Sequence, residues 1–162
     1  MSLWSDLYAG DARQIADAFK EGRAFEGKQF VSAHVTLPGI VPDMSGELPN
    51  TPDLLTELAC STVGIERFTF AESIAEQLSG DPDPMVANDG AYLMTPRWTE
   101  LFARITESQT QELAVRWLKE LDPAAAELPA RVAEMNALLR SLTNTCRVAQ
   151  ERRVSLVYAW TL

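Results

Sequence analysis

The run VSLVYAWTL at residues 154–162 constrains the fold more than any other stretch of this chain. Apolar residues occupy nearly every position, and a long helical pattern ends immediately before it. A strand with one face in water alternates polar and apolar residues, whereas a run apolar on both faces must be buried on both. Its richness in Val, Tyr and Trp favours strand over helix. The run is therefore expected to be the central strand of a sheet that helices cover.

Residues 29–37, QFVSAHVTL, supply a second strand. Val31, Ala33, Val35 and Leu37 fall on one face, and Phe30, Ser32, His34 and Thr36 on the other. GAYLM at 90–94 is a weaker strand after the turn signal NDG, and LWSDLY near the start reads as a short strand or a helical lead-in.

Helix signals are stronger. Asp11 with Gln14 forms an N-cap pair ahead of Ile15, Ala18 and Phe19, in a helix ending near Gly22. Thr51-Pro52 and Thr95-Pro96 each place a capping hydroxyl before a proline in the first helical turn. The first of these helices carries Leu54, Leu55, Leu58 and Ala59 inward, and the second Trp98, Leu101, Phe102 and Ile105. Thr69 with Glu72 reads as a capping box opening a short helix that ends at Gly80. A helix over 108–121 packs Leu113, Ala114, Trp117, Leu118 and Leu121. The longest starts at Pro129 and carries Val132, Met135, Leu138, Leu139, Leu142, Cys146 and Ala149.

These signals add up to about six helices and three or four strands without regular βαβ alternation. The expected class is α+β, a small mixed or antiparallel sheet covered by helices, in one domain spanning residues 1–162. A chain of 162 residues builds such a core without stapling by metal or disulfide. Pro38 to Pro52 form a long proline-rich loop, a surface wrap or a lid.

Charge is unevenly spread. Residues 41–90 hold ten acids (Asp43, Glu47, Asp53, Glu57, Glu66, Glu72, Glu76, Asp81, Asp83, Asp89) against one base, Arg67. That segment carries the whole net charge of −9. Residues 131–162 lean the other way, with Arg131, Arg140, Arg147, Arg152 and Arg153 against Glu134 and Glu151. An acidic chain repels phosphate backbones, so nucleic acid is not expected as a partner. No apolar run is long enough to span a bilayer, and the N-terminus lacks the basic start and apolar stretch of a secretion signal. The expected address is the cytoplasm, with Cys60 and Cys146 as reduced, buried thiols.

Several chemistries find no support. In SGDPDPMVANDG (79–90), Asp81, Asp83 and Asp89 fit calcium-loop positions 1, 3 and 9, but positions 5, 6 and 12 are Met85, Val86 and Tyr92. The glycine and the bidentate carboxylate are missing, so the stretch reads as an acidic loop and turn. A single histidine rules out a two-histidine zinc motif within one chain, and no glycine-rich phosphate fingerprint occurs. No metal or cofactor is expected. A Cys-His dyad would need His34 with Cys60 or Cys146. Glu72 and Glu76, four apart on the expected short helix, read as a solvated face.

Two function classes remain. The first is a non-enzymatic interaction protein of the inhibitor or immunity type, whose acidic segment, with Glu72, Glu76, Asp81, Asp83 and Asp89 as contact residues, meets a basic partner. The second is a small-ligand-binding or hydrolytic enzyme whose site uses His34, Cys60 and carboxylates near the 38–52 loop. The sequence does not decide whether copies of the chain associate.

Overall fold

The computed structural model describes residues 4–22, 29–38, 52–83 and 86–161. In chain order these form β1 (Trp4–Gly10), α1 (Ala12–Lys20), β2 (Val31–Pro38), α2 (Pro52–Val63), β3 (Ile74–Gly80), β4 (Asp89–Met94), α3 (Pro96–Ala103), α4 (Glu107–Leu121), α5 (Pro129–Arg152) and β5 (Ser155–Thr161). Short 3-10 turns lie at Ala71–Ser73 and Ala125–Glu127. The five strands make one antiparallel sheet in the order β2-β1-β5-β4-β3, so the C-terminal strand is central. The class is α+β.

The doubly apolar character of β5 follows from cover on both sides. Leu156, Tyr158 and Trp160 point into the main core with Leu55 and Ala59 of α2, Trp98 and Phe102 of α3, Trp117 of α4, and Leu139 and Leu142 of α5. Val157 and Ala159 point the other way, into a smaller cluster with Tyr8, Ala91 and Ile15 of α1. At roughly 1.5–3 kcal/mol for each large apolar side chain removed from water, the strand stays in place only if both layers form.

The helix ends follow the sequence closely. Asp11 caps α1, accepting from the Gln14 backbone N–H at 2.9 Å. Thr106 and Gln109 form a reciprocal capping box on α4. Thr95 precedes Pro96 at the start of α3 but makes no side-chain cap bond; its backbone N–H donates instead to the Ser73 carbonyl at 2.8 Å. Arg147 of α5 donates through Nε to the Ala103 carbonyl at 2.9 Å and through its guanidinium to that of Ile105, tying α3's end to α5.

Two expectations change. The helix expected over 69–80 is a 3-10 turn followed by strand β3, which accounts for five helices and five strands among the described residues rather than six and three or four. The capping box itself is present: the Thr69 N–H donates to Glu72 Oε2 at 2.7 Å, and the Glu72 N–H to Thr69 Oγ1 at 3.1 Å. Sheet pairing with β4 overrides the continuation as helix. Val31 leaves the face of Ala33, Val35 and Leu37, because a register shift pairs Ala9 with Ala33 but Gly10 with Val31; Val31 packs in the α1 cluster. Residues 39–51, most of the proline-rich loop, lie outside the described residues. Among the described residues, no helix is long and apolar enough to cross a membrane.

Candidate functional site

The acidic contact residues do not gather in one cluster: Glu72 and Glu76 lie before and on the edge strand β3, and Asp81, Asp83 and Asp89 at the β3–β4 connection. β3 is an edge strand with irregular register against β4, and its middle residues, including Glu76, are exposed. From Ile74 to Gly80 it runs roughly 20 Å at 3.3 Å per residue. Glu72 sits before its first residue, exposed, in the cap described above. The N–H and then the hydroxyl of Thr69 hold the Glu72 carboxyl below the usual carboxylate range, with Arg97 adding a smaller pull. Glu72 and Glu76 therefore share no helix face.

Beyond the far end of β3, Asp81, Asp83 and Asp89 are all exposed in and beside the β3–β4 connection. The Asp83 N–H donates to Asp81 Oδ1 at 2.9 Å, and Gln77 Nε2 donates to the Asp81 carbonyl at 3.1 Å. Gly80 enters this turn at φ 101°, where a Cβ would lie 2.5 Å from the Asp89 carbonyl oxygen. The ion pairs among the described residues, Arg67–Glu57, Arg116–Glu112, Arg131–Glu134 and Arg140–Glu107, leave Glu76, Asp81 and Asp89 out. The described residues hold no group of three or more His, Cys, Asp or Glu placed to bind a metal.

His34 and Cys60 are not brought together. Cys60 is buried in the helical layer, in the same core cluster as Val35 and Leu37 of β2. His34 precedes Val35 and so points from the opposite sheet face, where it is exposed. Cys146 is buried in the same helical layer as Cys60, and burial pushes its thiol well above the usual range, so neither cysteine is placed as a nucleophile for His34.

What stands next to His34 is a set of residues that the sequence reading missed. Cross-strand register places His34 opposite Tyr8, and Thr36 opposite Asp6. The His34 and Tyr8 rings stack with centroids 5.9 Å apart. Asp6 is buried, at 8 % exposure, and its Oδ2 accepts from the Tyr8 hydroxyl at 2.7 Å. Burial, then the bond to Asp6, pushes the Tyr8 phenol far above its usual range, so it remains a neutral donor. The only sequence signal was an aspartate inside an otherwise strand-like WSDLYAG.

Two shallow grooves of about 490 and 400 Å³ run along α4 and α5 and share Arg140. Their main charged groups are already engaged, Arg140 with Glu107 at 3.2 Å and Arg147 with backbone carbonyls. Searches against protein-family models, curated proteins and solved structures find no match to this chain.

Proposed function

We propose that the protein is a non-enzymatic interaction module of the inhibitor or immunity type, whose acidic β3 edge and β3–β4 hairpin meet a basic surface on a partner. The observation that carries this reading is the exposed edge strand with Glu76, Asp81 and Asp89 outside every ion pair of the described residues. Carboxylates held at a strand edge and a turn keep their field directed outward, which speeds encounter with a basic partner and orients it. The irregular register and charge of β3 also discourage open-ended pairing with further copies of the same strand. Of the hydrolytic alternative, only the Cys-His dyad is removed, because Cys60 lies across the sheet from His34.

The test is capture from a native lysate with the full chain and with the Asp81→Asn, Asp83→Asn, Asp89→Asn triple variant. A basic protein retained by the wild type at low salt, released as salt rises and absent from the variant is the expected outcome. Identical retention by both proteins removes the hairpin from recognition.

A further inference from the structure

Asp6 is the only buried acid among the described residues. One of its oxygens serves Tyr8, while Oδ1 is enclosed and has no hydrogen-bond partner among them. A carboxylate taken out of water and only half satisfied destabilises the fold that holds it, and such a group calls for a missing donor. Its surroundings suit a planar cation. α1 lies over β5, β4 and β3, while the exposed Thr36 and His34 flank the carboxylate on edge strand β2. On the same sheet face, Asp89 stands two strands and two residues away, about 12 Å by strand geometry.

We propose that Asp6 is the socket for an arginine side chain of the basic partner, a guanidinium N–H donating to Oδ1 while the guanidinium plane rests on the His34 ring. A guanidinium pairs with a carboxylate through a fork of donors and stacks on flat rings, which an ammonium does not do. Thr36 and His34 are the exposed side chains beside the carboxylate on edge strand β2, so an arginine reaches the enclosed Oδ1 from that edge only if it is uncovered. Asp89 draws the arginine toward this face, and Asp6 binds it. The proposal rests on the basic-partner reading for the origin of the arginine.

The experiment titrates N-acetyl-argininamide into the full chain and follows the ring protons of His34, the single histidine of the sequence. A saturable shift is expected in the wild type, about tenfold weaker in Asp6→Asn and equally weak with the neutral isostere N-acetyl-citrullinamide. Asp6→Asn keeps an acceptor for Tyr8 and removes an unpaired charge, so it is expected to melt no lower than the wild type. Lost binding without lost stability separates a socket from a structural carboxylate. Absence of a saturable shift, or equal binding by the variant or the citrulline compound, overturns the proposal. So does a Thr36→Val variant that melts lower, which would give Oδ1 to the Thr36 hydroxyl. A dead socket with a hairpin variant that still loses its partner refutes this inference alone; arginine binding with unchanged partner capture by the hairpin variant refutes the hairpin reading instead.

Discussion

Replacing Gly90 with alanine tests the β4–β5 pairing that attaches the acidic hairpin to the central strand. Gly90 lies opposite Trp160 in the sheet. A Cβ on Gly90 would come within 2.6 Å of the indole Nε1, 3.0 Å of Cε2 and 3.3 Å of Cζ2, where ordinary contact begins at 3.4 Å. The ring is only 5 % exposed, so it has no open space to swing into, and the pairing of both strands holds the backbones in place. Overpacking of this kind costs about 1–3 kcal/mol. Gly90 does not have a positive φ, so alanine recovers about 0.4–1 kcal/mol by restricting the unfolded chain. At the middle of these ranges the expected net loss is about 1.3 kcal/mol, a drop of a few degrees in Tm for a domain of this size. Thermal melts followed by far-ultraviolet circular dichroism give the number, and tryptophan fluorescence reports whether the indole has moved. An unchanged or higher Tm would refute the packing of Trp160 over Gly90.

Arg147→Met removes the donors to the Ala103 and Ile105 carbonyls, and denaturant unfolding should show a loss of about 1.5–3 kcal/mol with an unchanged m-value. Cys60 and Cys146 are both buried, so a thiol reagent should modify neither in the native protein and both after denaturation; fast native reaction would contradict their placement in the helical layer. The Glu72 carboxyl is lowered in the folded state, so its contribution to stability is present above the usual carboxylate range and is lost as pH falls through its folded value. Glu72→Gln should therefore be less stable than wild type at neutral pH, with the gap closing on acidification; a gap independent of pH would show that the cap does not depend on the charge.

The parts of the fold that declared themselves in sequence are those set by one element alone. The 154–161 strand, the apolar stripes of α3, α4 and α5, and the Asp11 cap depend on local periodicity and local hydrogen bonds. The misreading at 69–80 came from a genuine local signal. The Thr69–Glu72 box forms, but Ile74 and Leu78, which a helix would place on one face, go to opposite sides of the sheet, Ile74 to the helical core and Leu78 to the α1 cluster. The register shift beside Ala9 moved Val31 across the sheet in the same way, and a single strand's alternation carries no trace of it. The Asp6, Tyr8, Thr36 and His34 group was invisible for a related reason, since it exists only once β1 and β2 are paired. The acidic segment was legible as charge, whereas its division between the β3 edge and the β3–β4 hairpin required that strand.

Recognition of a basic partner by the acidic hairpin, as proposed, is read from the rate of association with the captured protein. Measured over a range of salt, the wild-type rate should fall steeply, while the Asp81→Asn, Asp83→Asn, Asp89→Asn variant should associate more slowly and with a flatter salt dependence. Equal rates and equal salt slopes for the two proteins would remove the hairpin carboxylates from partner recognition.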